Sequence, residues 1–122
     1  MKKMVEYAAA VLKDKKGKAF FINFLTQISP ACDCLPNTDA SLVRDIGILA
    51  SKDPIAIDQA SVDLLNQETA LAGTCLKSAT GPGEDKIKGV YPYIDWPIQL
   101  GYGQEIGLGS RDYDLEWLEK KE

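Results

Sequence analysis

The chain has 122 residues, 45% hydrophobic and 26% charged, and carries a net charge of −4 at pH 7. That is the length of one domain with an ordinary globular composition, which excludes disorder across the whole chain. It contains no histidine, so a Ser-His-Asp or Cys-His mechanism within this chain is excluded, along with the commonest transition-metal ligand.

Met4, Ala8, Val11 and Leu12 recur at helical spacing and predict a first helix over about 3–13. Lys13, Lys15 and Lys16 complement its C-terminal dipole, and Gly17 supplies a stop. Ala19 to Leu25 is short, apolar and aromatic-rich, and reads as a buried strand. Asn23 is its odd residue; inside an apolar strand it must find hydrogen-bond partners. Residues 26–42 form a loop rich in turn formers, long enough to be functional or tied down. Val43 to Ala50 reads as a second strand. Asp53-Pro54 then starts a helix to about Asn66, with Ile57, Ser61, Leu64 and Leu65 on one face. Residues 70–79 extend that helix weakly, and 80–85 are turn-rich. Asp95 is a cap candidate for a helix ending near Ile106, weakened by Gly101 and Gly103. Tyr113, Leu115 and Trp117 alternate with acids and predict a final strand before a frayed tail. Tyr91, Tyr93 and Trp96 read first as core anchors, with the lining of a ligand pocket or partner surface as the alternative.

The candidate chemistry sits between Phe21 and Leu65, centred on Cys32-Asp33-Cys34. In an extended segment, residues two apart point to the same side, so both sulfurs could reach one soft ion or form a redox pair. Zinc or iron is the expected metal, through Cys32 and Cys34 with Asp33 and Asp58 beside them. A closed tetrahedral site needs further ligands, and here only Cys75 and carboxylates remain. Two thiols that merely pack a loop are the structural alternative. Asp39, Asp45 and Asp53 are further candidates, and Asp53 reads first as an N-cap. The glycines match no nucleotide-binding fingerprint.

Charge is uneven. Residues 1–18 hold six lysines against two acids; residues 30–70 hold seven acids against Arg44 and Lys52. The acidic middle suits a cation and disfavours nucleic acid. No apolar run approaches the ~20 residues of a membrane span, and the N-terminus lacks a signal-peptide pattern. Three cysteines, an odd number, fit a reducing compartment, so a cytoplasmic location is expected.

FINFLTQISPACDC, DIGILASKDPIAIDQASVDLL and the tail YPYIDWPIQLGYGQEIGLGSRDYDL resemble the family filed as Domain of Unknown Function 362. MVEYAAAVLKDKKGK is similar to the segment before that family's cysteine pair. Members are usually longer, and many carry a ferredoxin-like insert with cysteine runs for 4Fe-4S clusters. This chain has no such runs, so the resemblance assigns any cluster to the absent part. The family has no established activity; its recurrent residues map onto Cys32, Asp33, Cys34, Asp53, Pro54 and Asp58.

The expected fold is one α/β domain over 1–122, a small layered sheet of two to four partly parallel strands flanked by helices. So small a sheet leaves edges and apolar surface, which predicts a partner: the missing ferredoxin-like part or a second copy of the chain. Three functions stay open: a metal-binding domain, a redox or electron-transfer part using the thiol pair, and a structural scaffold.

Overall fold

The structure is a computed structural model that describes residues 1–31, 34–37 and 39–118. Its elements are α1 (Lys2–Leu12), β1 (Phe21–Leu25), β2 (Gly47–Ser51), α2 (Pro54–Gln67), α3 (Lys86–Val90) and α4 (Pro97–Glu105). The fold is α/β, a helix-and-sheet mixture as expected.

The two strands pair antiparallel, Phe21 opposite Ser51 through Leu25 opposite Gly47. A parallel pair needs a crossover, usually a helix. The connection over 26–46 holds no helix among its described residues, so the chain turns back and the expected parallel component is absent from this sheet. β2 also begins later than expected. Leu42 and Val43 are buried in a core with Leu65 and Leu76 rather than paired in the ladder. Gly47 enters the strand at φ +152°, a backbone region that side chains avoid.

α2 is the central element. Asp53 caps it, with Oδ1 accepting from Ile55 N at 2.8 Å and Ala56 N at 2.9 Å, and Pro54 fills its first turn. It packs on both strands and on α4. Ile55, Ile57, Gln59, Ala60 and Leu65 are all buried, so it is covered on more than the single face the sequence suggested.

α1 packs on α4. Its buried residue is Val5, while Met4 and Val11 of the expected stripe are exposed. The reason lies in α4. A Cβ on Gly103 would collide with Ile55 and touch Val5, so the glycine lets three helices meet there. Lys2 lies over the Tyr102 ring, and Tyr102 Oη donates to Glu6 Oε1 at 2.8 Å. Lys2, Val5 and Glu6 therefore lie on the side of α1 that meets α4.

Three further expectations change. Asp95 does not cap α4, whose cap residue is Trp96 without a side-chain bond; Asp95 pairs loosely with Lys88 at 3.9 Å instead. Asp85 caps the short α3 and also accepts from Trp96 Nε1 at 2.9 Å. Residues 113–118 form no strand. They run beside β2, and both border a groove of about 560 Å³. Tyr93 is fully exposed and Tyr91 is 42% exposed, which corrects their reading as core anchors.

Candidate functional site

The cysteine loop leaves β1 at Leu25 and returns at β2. Backbone bonds hold it near both ends: Leu42 N to Ile28 O and Ile46 N to Leu25 O, each 2.8 Å. Asp45 Oδ1 accepts from Gln27 N at 2.7 Å, so this candidate carboxylate braces the loop base. Tyr91 Oη donates to Pro30 O and pins the loop against the residues after α3. Cys34 is exposed at the far side of this anchored frame. Cys32 and Asp33 lie outside the described residues. Asp39 is exposed, its Oδ1 accepting from the adjacent Ala40 N at 2.7 Å. Cys75 is exposed in the segment between α2 and α3.

The other candidates gather around α2. Asn23 points from the inner face of β1. Its Nδ2 donates to Asp58 Oδ1 at 3.0 Å and to Ser61 Oγ at 2.9 Å. Ser61 in turn donates to Ile57 O at 2.7 Å. The strand's one polar side chain thus finds the partners its burial demands, and Asp58 is part of that answer. Asp53 uses both oxygens. Oδ1 caps α2, and Oδ2 accepts from Ser110 N at 2.9 Å, which draws the segment after α4 onto the start of α2. A Cβ on Gly109 would land on this carboxylate, so glycine is required there for close approach.

Among the described residues, no three cysteine, aspartate or glutamate side chains converge to hold a metal ion. Asp39, Asp45, Asp53 and Asp58 each accept a bond from a named neighbour.

Two polar arrangements escaped the sequence reading. Lys86 is completely buried, and its ammonium donates to the carbonyls of Gly81 at 2.8 Å, Asn66 at 3.0 Å and Glu84 at 3.4 Å. Burial holds it below the usual lysine range, against the pull of Glu84 and Glu68. A lysine in a polar stretch ordinarily reads as surface, and only the turn at Thr80–Glu84 hinted at carbonyls to collect. The second is a chain along α2. Arg111 Nε donates to Gln59 Oε1 at 2.8 Å, Gln59 Nε2 to Asp63 Oδ1 at 2.8 Å, and Tyr113 Oη to Asp63 Oδ2 at 2.8 Å. On the surface, Arg44 and Glu68 pair at 2.7 Å, which raises the guanidinium and lowers the carboxyl.

The site is thus an anchored, thiol-bearing loop set beside a helix–ribbon unit whose carboxylates are largely structural. A family model described as Domain of unknown function (DUF362) matches residues 1–63, from α1 through the cysteine loop and β2 into α2. The chain belongs to that family. No curated protein and no solved structure matches it. Among the described residues, no helix is long and apolar enough to cross a membrane.

Proposed function

We propose that the domain binds a soft metal ion, zinc or iron, through Cys32 and Cys34, with Asp33 as the adjacent oxygen donor. The observation that carries this is the exposure of Cys34 on a loop anchored at both ends, two residues from a second thiol. Anchoring limits the ordering cost of bringing two thiolates together, and thiolates select soft or borderline ions. Asp58 is left out of the donor set because Oδ1 already holds Asn23. Water or a partner's side chain completes the tetrahedron. The ferredoxin-like insert that the resemblance implies for longer members would place such an ion near a cluster-bearing domain.

Elemental analysis of anaerobically purified protein, alongside a free-thiol count, tests the reading. One zinc or iron per chain with two masked thiols is expected, lost in Cys32→Ser/Cys34→Ser. Metal content unaltered by that double substitution, or its absence from the parent chain, rejects the site.

A further inference from the structure

The side of the ribbon that faces away from α2 is bare. Side chains alternate across a strand, so Phe21, Asn23 and Leu25 face the helix while Ile22 and Phe24 face outward with Phe20 just before them. Their cross-strand partners Ala50 and Ile48 complete the same face. Phe20 is 60% exposed, Ile22 52%, Phe24 65% and Ile48 62%. Within the paired ladder the face carries no charged residue, and the exposed Lys52 follows Ala50 at the Phe20 end. At the edge of β2, Leu115, Trp117 and Leu118 are exposed on a segment that borders a groove shared with Ile48, Ala50 and the Ala56–Leu64 part of α2. We infer that this face packs against the same face of a second copy of the chain, sheet on sheet, about a twofold axis.

Area is the first argument for that occupant. Aromatic side chains bury 150–250 Å² when covered, so Phe20, Phe24 and Trp117 still offer on the order of 400 Å². Ile22, Ile48, Leu115 and Leu118 bring the surface to the order of the ~800 Å² per partner of a standard stable interface. The ribbon face by itself matches the ~300–600 Å² of the largest patch on a typical monomer, and the segment at the β2 edge extends it. Charge is the second argument. Lys15, Lys16 and Lys18 precede Phe20 at one end of the face; Asp112, Asp114 and Glu116 lie in the segment beside β2. A twofold axis between that end and that edge sets the lysines of each copy against the acids of the other. An isologous contact requires such self-complementarity. Packed sheets stand about 10 Å apart, which Phe and Ile from both sides fill.

Sedimentation of the whole chain across roughly 1–100 μM tests this, since a Kd near 1 μM is well within reach of such an area. A closed dimer of twice the chain mass is expected, weakening as salt screens the rim charges. Ile48→Lys should weaken it on the order of 100-fold or more, because a charge would be buried unpaired. Phe24→Lys should do the same, and both replaced side chains already face solvent in the monomer, so circular dichroism should be unchanged. Tyr7→Lys, 75% exposed on α1, should leave the dimer intact. A monomer at 100 μM overturns the inference. So does a dimer that survives both lysine substitutions while folded, or open-ended assembly in place of a dimer.

Discussion

At the residue scale, Asp53 shows how much one side chain can organise. A single carboxylate closes the first turn of α2 and pulls Ser110 onto it across 57 residues of sequence. Asp53→Ala removes a cap worth about 1–2 kcal/mol and a further bond worth about 1 kcal/mol. We therefore expect urea denaturation to show a loss of about 2–3 kcal/mol. Asp53→Asn, which keeps one acceptor, should lose less than half of that, and metal content should not move in either variant. A loss below about 0.5 kcal/mol for the alanine variant would contradict the bridging role. The capping half was legible in the sequence because Asp-Pro before an apolar helix is local chemistry. The Ser110 half was not, because a long-range bond to a backbone N–H leaves no residue-type signature. Asn23 was legible in kind: an amide in an apolar strand requires partners, and the sequence could not name Asp58 and Ser61. Lys86 was illegible, since burying an ammonium under three carbonyls depends on a turn geometry that composition does not encode.

At the element scale, the positions of β1 and α2 were readable and the rest less so, although β1, expected as a buried strand, is covered on one face only, with Ile22 and Phe24 exposed. The apolar run Val43–Ala50 served two purposes, core filling at Leu42 and Val43 and pairing from Gly47, and an apolar pattern cannot separate them. Alternation at Tyr113, Leu115 and Trp117 resembled a strand, but Tyr113 is held by α2 rather than by β2. That tether has a testable pH dependence. Burial, then the hydrogen bond and charge of Asp63, push the Tyr113 phenol up to about 12, above its ordinary value of about 10. A folded value raised above the unfolded one means that the stabilisation is complete below pH ~10 and is lost as pH rises through about 12. Tyr113→Phe should cost about 1 kcal/mol at pH ~8, after allowing for partial solvent screening. The gap between parent and variant should shrink from pH ~10 upward, where the unfolded chain's phenol ionises and the folded one does not, and should have closed by about pH 12. Denaturation curves for both proteins across that range provide the measurement, and a gap that stays constant with pH would refute the tether.

At the scale of the whole molecule, the family match and the folding unit have different extents. The match ends at Asp63, inside α2. Yet the buried core of the matched region is completed by residues beyond it. Leu42 and Val43 are buried against Leu65 and Leu76. Ile55 is closed over by Gly103, and Leu100 of the same helix is 3% exposed. Asp53 needs Ser110, and Gln59 needs Arg111. A two-stranded ribbon is marginal by itself in water, and a chain of about 60 residues buries only about 60% of its unfolded surface. Removing residues 64–122 would strip the partners from both apolar clusters while leaving the outer sheet face still bare. A chain of residues 1–63 is therefore expected to be largely unfolded, with weak far-ultraviolet dichroism and collapsed amide proton dispersion, where the full chain shows resolved signals. Native-like dispersion in the short chain would mean that the ribbon and the start of α2 carry their own stability, and that the C-terminal half is an appendage. The buried positions argue the opposite: the C-terminal half is where the family's region finds its core.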